Sequence, residues 1–325
     1  MTRRLAIVAA LALMALAGCA SPTPPSTSDS TAQLPVPGGM QDPAVIPSAA
    51  SGSAPACDPL ASLRPGGPLP GPGAMPAGSA MAAIAQRGRL IVGVDQNTYL
   101  FGFRNAATGE IEGFDIDIAK AVAAAIFGTA QGHIQLVAIT SAQRIPYVST
   151  GKVDLVAETM TMNCARWQQV DFSSQYYEAG QRVLVAAGSK ATSIDQLGGQ
   201  KVCAAAGSTS IANIAAAKSK PIPVSVPDWT DCLVLLQQGQ VAAISTDDTI
   251  LAGLQKQDPY TKLVGPPFTS EPYGMAIAKD HPDLVRFVNG VLESLRADGG
   301  WAAIYARWLG SPVPAPPAAT YQAGS

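Results

Sequence analysis

Two arginines, several hydroxyls and several carboxylates stand just after the apolar runs of this chain. Asp95 ends RLIVGVD, and Ser141 and Arg144 follow HIQLVAI. Glu158, Thr159 and Thr161 follow VDLVA, and Arg166 closes TMNCAR. Ser208 and Thr209 lie in AAAGSTS, and Asp247 and Asp248 follow QVAAIST. These types suit recognition of a small charged molecule. A guanidinium holds a carboxylate through two parallel bonds in one plane, and hydroxyls with main-chain N–H groups at a helix start add donors. No nucleophile and base pair stands out to make or break bonds. Metal chemistry has little support, because no two cysteines are close in sequence and the only histidines are His133 and His281. Neither a metal nor a cofactor is expected.

The runs that carry these residues read as alternating strands and helices. RLIVGVD (89–95) and HIQLVAI (133–139) are buried-strand runs, and FDIDIAKAVAAAIFG (114–128) has apolar spacing of three and four, ending at Gly128. A second set follows in QRVLVAAG (181–188), IDQLGGQKVCAAAGSTSIANIAAA (194–217), PIPVSVP (221–227) and TDCLVLLQQGQVAAISTDDTILAGLQ (230–255). Both sets repeat helix, glycine turn, apolar strand and polar tip, as in STGKVDLVAETMTMN and QQGQVAAISTDDT. That alternation implies an α/β fold with largely parallel sheets in two similar lobes, whose ligands bind beyond the carboxyl ends of the strands.

Length and charge set outer bounds. The 325 residues allow one large or two medium domains. With 21 basic against 23 acidic residues, there is no basic surface of the kind nucleic acid requires. The chain opens with Arg3 and Arg4, an apolar run from Leu5 to Leu16, and small residues before Cys19, the order of an export signal over 1–18. That run is too short to span a bilayer core of ~30 Å at ~1.5 Å per helical residue. Leu16-Ala17-Gly18-Cys19 resembles a bacterial lipobox, which implies lipidation at Cys19 and a membrane anchor on the extracytoplasmic face. Residues 20–80 hold more than half of the 27 prolines and few charges, so 19–79 is expected to be an extended tether. Its stretch CDPLASLRP (57–65), with a cysteine and spaced apolar residues, is expected to be pinned to the folded part. The Pro/Ala-rich end, 311–325, is expected to be disordered.

GFDIDIAKAVAAA, IPYVSTGKVDLVAETMTMNCARWQQVDFSSQYY, GSTS and STDDTILAG together resemble the extracytoplasmic polar amino-acid-binding proteins of ABC importers. The chain is especially similar to the lipid-anchored actinobacterial glutamate/glutamine-binding members. The resemblance covers roughly residues 80–310, and DFS-x-x-YY with an arginine five residues before it is its most specific part. It implies a periplasmic-binding-protein-like Venus flytrap of two α/β lobes joined by two crossover strands. The larger lobe is expected at 80–175 and 273–310, the smaller at 180–269.

Carried onto this sequence, the resemblance makes Arg166 the clamp for a ligand α-carboxylate. Thr161 and the turn around Ser208 and Thr209 supply further donors, and Asp247 receives the α-ammonium, with Asp248 as the alternative. Arg144 matches the arginine of acidic-amino-acid binders and favours a second carboxylate. Asp95 stands where amide-specific members accept a ligand amide. Tyr99 is a candidate wall, and Thr159, Ser141 and Glu158 stand nearby. Glutamate or aspartate is the implied ligand, with glutamine or asparagine tolerated, delivered to an ABC permease by a monomer. The same site could serve a sensor presenting its ligand-bound form to a membrane protein. An enzyme on this fold, such as a dehydratase, would use Glu158 as general acid.

Plainer roles exist for several of these groups. Asp247 or Asp248 could cap the helix that follows, and Asp115 and Asp117 are expected to cap or solvate theirs. With Cys19 lipidated, the remaining cysteines allow three pairings. Cys203, ending a strand, and Cys232, beginning a helix, fall in one expected lobe, which favours Cys203–Cys232 and leaves Cys57–Cys164.

Overall fold

In the computed structural model of the chain, residues 34–46 and 56–324 are described. The export signal, Cys19 and the first part of the tether lie outside them. Among the described residues no helix is long and apolar enough to cross a membrane.

A continuous apolar run makes a strand that needs cover on both faces, and parallel pairing supplies that setting. In Leu90–Val94, residues Leu90, Val92 and Val94 are fully buried. This strand pairs in parallel with Ile134–Ala138 on one side and Leu155–Val156 on the other. Ala276–Ile277 pairs antiparallel between Leu155–Val156 and Asp171–Phe172, completing five strands. Successive residues face opposite ways, so Leu155 and Ile277 enter a core with the helices Ala80–Arg87, Phe114–Phe127 and Pro282–Ala297, while Val156 and Ala276 join a second core with Val148 and Trp167. Helix Phe114–Phe127 stops at Gly128, whose φ of 84° suits a left-handed cap. Gly113 before it has φ 139°, and a Cβ there would meet the Phe101 carbonyl oxygen at 2.2 Å.

A second five-stranded sheet runs in the order Ile222–Val226, Lys201–Ala205, Ala243–Asp247, Gln181–Ala186 and Thr261–Val264. Its first three strands are parallel, and Gln181–Ala186 is antiparallel to both neighbours. Thr209–Ala216, Trp229–Gln237 and Asp248–Gln257 supply helical residues to its core. The chain passes between the sheets twice, through Tyr177–Ala179 and Glu271–Tyr273, which pair antiparallel with Tyr177 opposite Tyr273. The protein is therefore a two-lobed α/β fold with two crossover strands.

Both disulfides are formed, Cys57–Cys164 and Cys203–Cys232. The first holds 57–65 against the larger lobe, where Trp167 Nε1 donates to the Pro59 carbonyl and Asn289 Nδ2 to Ser62 Oγ and the Leu63 carbonyl.

Two expectations need correction. The described parts of the proline-rich tether are docked rather than extended into solvent. Gln41 pairs with Ser225 on the edge strand Ile222–Val226, Asp42 pairs with Lys201, and Met40, Ala44 and Ile46 pack on the smaller lobe's core. Leu63, Leu69 and Met75 pack on the larger lobe. Proline limits the freedom of the unfolded chain, so ordering such a segment costs less than its composition suggests, and its scattered apolar side chains find a surface. Residues 311–324 are ordered as well. Thr320–Tyr321 pairs in parallel with Ala61–Ser62, Arg296 Nε donates to the Pro317 carbonyl, and Tyr321 Oη donates to Glu293.

Candidate functional site

The lobes are closed on each other. Gly207 of the smaller lobe sits against Ala142 of the larger, so that a Cβ on Gly207 would lie 2.7 Å from the Ala142 Cα. Asn97 Nδ2 donates across the cleft to Asp228 at 3.2 Å. The residues singled out from the sequence line or flank this closure.

Arg166 lies on the short helix Cys164–Trp167, whose start is capped by Asn163 Oδ1 accepting from the Arg166 N–H at 2.9 Å. Its guanidinium is buried and spans the cleft: Nη1 donates to the Thr161 carbonyl at 2.6 Å and Nη2 to the Gly207 carbonyl at 3.3 Å. Burial, and then the like charge of Arg144, pulls its pKa down to about 9. Arg144 is also buried, with Nε donating to the Ser141 carbonyl and Nη1 to the Glu158 carbonyl, both at 3.0 Å. The two arginines line one pocket of about 590 Å³ with Ser141, Met160 and Gly207.

Thr161 and Thr209 come together differently from expectation. Both hydroxyls donate to Glu271 Oε2, at 2.7 and 2.9 Å, and Asn213 and Thr269 donate to Glu271 Oε1. In this closed form the hydroxyls expected to meet a ligand hold a resident carboxylate. These residues line an adjoining pocket of about 520 Å³. Ser208 occupies the N-cap position of helix Thr209–Ala216, but its hydroxyl donates to the Ala205 carbonyl.

Asp247 is buried, and although it stands at the N-cap position of Asp248–Gln257 its side chain makes no capping bond. Its Oδ2 accepts from Tyr273 Oη at 2.7 Å, while Oδ1 has no partner among the described residues. Burial, followed by the charge of Glu271, raises its pKa to about 8. Asp248 instead lies near the Gly180 N–H, 3.4 Å away.

Asp95 accepts from the Asn97 N–H and the Thr98 hydroxyl, and burial raises its pKa. Glu158 is buried with Oε2 unpartnered among the described residues, and burial pushes its pKa well up against the opposing pull of Arg144. Thr159 has φ 42°, an outlying conformation for a β-branched residue, and its N–H donates to Asp115 at 2.7 Å. Tyr99 is not brought to the arginine pair. It packs edge-on to Phe103 and lines a separate groove with Arg104 and Trp308.

Two residues escaped the sequence reading, and two more have roles other than those expected. Glu271 and Tyr273 sit on the returning crossover, whose short stretch SEPYGMAIA carries no strand periodicity. Asp115, expected to cap or solvate its helix, is buried and accepts from Thr159 N–H and Tyr176 Oη. Asp117 likewise accepts from Arg307 and Trp308. Among the described residues no cluster of three or more His, Cys, Asp or Glu is arranged to hold a metal ion.

Comparison with known proteins bears on this arrangement. Residues 90–311 match the family described as bacterial extracellular solute-binding proteins, family 3. The chain is 40% identical over 230 residues to the ABC transporter glutamine-binding protein GlnH of Bacillus subtilis, covering 70% of this chain and 84% of that protein. It is 30% identical over 249 residues to the glutamate-binding protein GluB of Corynebacterium glutamicum, covering 72% and 82%. Among solved structures it is similar to an ancestral arginine-binding protein bound to glutamine, with TM-score 0.65, 33% identity, and coverage of 69% of this chain and 99% of that one.

Proposed function

Because the chain belongs to the bacterial extracellular solute-binding proteins, family 3, we propose that it captures glutamate or aspartate between its lobes and delivers it to an ABC permease. Glutamine and asparagine are held less tightly. The family and the relatives above are solute-binding proteins rather than enzymes, so Glu158 has no general-acid duty.

The observation that carries the ligand class is the pair of guanidiniums in one pocket, Arg144 and Arg166. Two cations suit a molecule with two carboxylates, one of them the α-carboxylate common to all amino acids. The unpartnered Oδ1 of Asp247 supports a role as acceptor for the α-ammonium, since a buried polar oxygen calls for a hydrogen-bond partner. In this reading Arg166, with Thr161, Ser208 and Thr209, takes the α-carboxylate, and a ligand must draw Thr161 and Thr209 from Glu271. Arg144, Ser141, Glu158 and Asp95 read the side chain, and Thr159 holds the backbone turn between them. Lipid at Cys19 would keep the protein at the extracytoplasmic face, near its permease.

Calorimetry with glutamate, aspartate, glutamine and asparagine tests the assignment. Arg166→Ala is expected to weaken all four by roughly 2–5 kcal/mol, the cost of truncating one partner of a buried charged pair. Arg144→Ala is expected to weaken the two acids far more than the two amides. Equal losses across all four ligands in Arg144→Ala would remove the side-chain assignment and favour an amide ligand, in line with the glutamine-binding relative.

A further inference from the structure

Of the carboxylates whose charges act on one another around Arg144, every one but Glu158 already has its donors. Asp95 accepts from Asn97 N–H and Thr98 Oγ1, and Asp115 accepts from Thr159 N–H and Tyr176 Oη. Asp228, arriving from the other lobe at the start of helix Trp229–Gln237, accepts from Asn97 Nδ2. Glu158 is 1% exposed, and its Oε2 has no partner. Arg144, the cation whose charge acts on it, directs Nη1 to the Glu158 main-chain carbonyl. The charges that act on Glu158 are thus those of three carboxylates, from the turn after Leu90–Val94, from helix Phe114–Phe127 and from the opposite lobe, against those of Arg144 and Arg166.

An unpartnered carboxyl oxygen buried among carboxylates admits two resolutions. Glu158 can carry a proton and donate an O–H, or stay ionised and accept an N–H brought by the ligand. Each matches one ligand side chain. A carboxylate lacks a donor and needs the protonated form, whereas an amide offers N–H groups and satisfies the ionised form.

We propose that Glu158 determines specificity in this site: protonated, it donates to the side-chain carboxylate of an acidic amino acid, and ionised, it accepts from a side-chain amide. The inference rests on the amino-acid reading above. For acidic ligands the proton comes from solvent as the cleft closes, so one proton is taken up for each acid bound at a pH where Glu158 is ionised in the open protein. The high pKa of the buried carboxyl agrees with this uptake. Asp247 and Arg166 meet groups that all four ligands share, so their titration cancels when an acid is compared with its amide.

The test is the ratio of glutamate to glutamine affinity in the full chain, measured by calorimetry between pH 5.5 and 8.5 (roughly the range over which both ligands keep one charge state). The wild-type ratio is expected to fall as pH rises, by up to about tenfold per unit, the slope of a single linked proton. Glu158→Gln keeps an N–H donor but cannot ionise, and its ratio is expected to be flat, with the proton uptake seen in buffers of different ionisation enthalpy abolished. A flat wild-type ratio, or the same slope in Glu158→Gln, overturns the inference while leaving the amino-acid reading intact. Failure of the wild type to bind any of the four ligands overturns both.

Discussion

Single side chains set the electrostatics of this cleft, and Asp247 shows it most directly. Its carboxyl is raised from the usual 3.8 to about 8, chiefly by burial. The folded ligand-free protein therefore holds a proton that the unfolded chain has lost, and by linkage this contribution is complete below about pH 4 and lost as pH rises through about 8. Ligand-free protein is expected to lose thermal stability from pH 5 to 8, and Asp247→Asn is expected to flatten that decline while abolishing tight amino-acid binding. An undiminished decline in Asp247→Asn would assign the effect to the other carboxyls that burial raises, Asp115 (to about 7) and Glu158, and not to Asp247. That Arg166, Arg144 and Asp247 are buried rather than solvated could be anticipated, because each stands after an apolar run in a recognisable motif. Glu271 and the buried role of Asp115 could not, because their meaning comes from partners far along the chain, Thr209 for one and Tyr176 for the other.

At the scale of elements, the turn carrying Gly207 is one of the pieces that meet the opposite lobe. Its φ of 78° suits glycine, and any Cβ would press on Ala142. Gly207→Ala is expected to cost roughly 1–3 kcal/mol of strain in the closed state, which is about fivefold to more than a hundredfold in affinity. Acids and amides should suffer alike, because the clash penalises closure itself, which every ligand held between the lobes requires. Unchanged affinity in a calorimetric titration would mean that ligands bind without bringing this turn to Ala142. The long parallel strands and the helix ended by Gly128 were readable from local periodicity. The strand in VDLVA was expected and is found at Leu155–Val156, whereas the two-residue strands Asp171–Phe172 and Ala276–Ile277 exist through their neighbours, and a pattern of two residues has no period. The same reason hid Thr320–Tyr321, whose pairing with Ala61–Ser62 ties the two ends of the folded chain together.

The whole molecule is two lobes linked by two antiparallel crossovers and closed over a charged interior. A ligand that bridges Arg166 on one lobe and Asp247 on the other favours closure, because only the closed state makes both sets of contacts. Two lobes were legible from the repeated strand, turn and helix theme. Beyond 57–65, which its cysteine and spaced apolar residues marked as pinned, the docking of the proline-rich segment was not, since composition reports entropy but says nothing of the surface available to pack on. The central claim is that this interior holds an acidic or amide amino acid. Its most direct test is the thermal stability of the protein against all twenty amino acids, because a ligand bound only by the native state stabilises it by ~2.7 kcal/mol at a hundredfold excess over Kd. Glutamate and aspartate are expected to raise Tm most, with smaller shifts from glutamine and asparagine. No shift from any of these four would contradict the account.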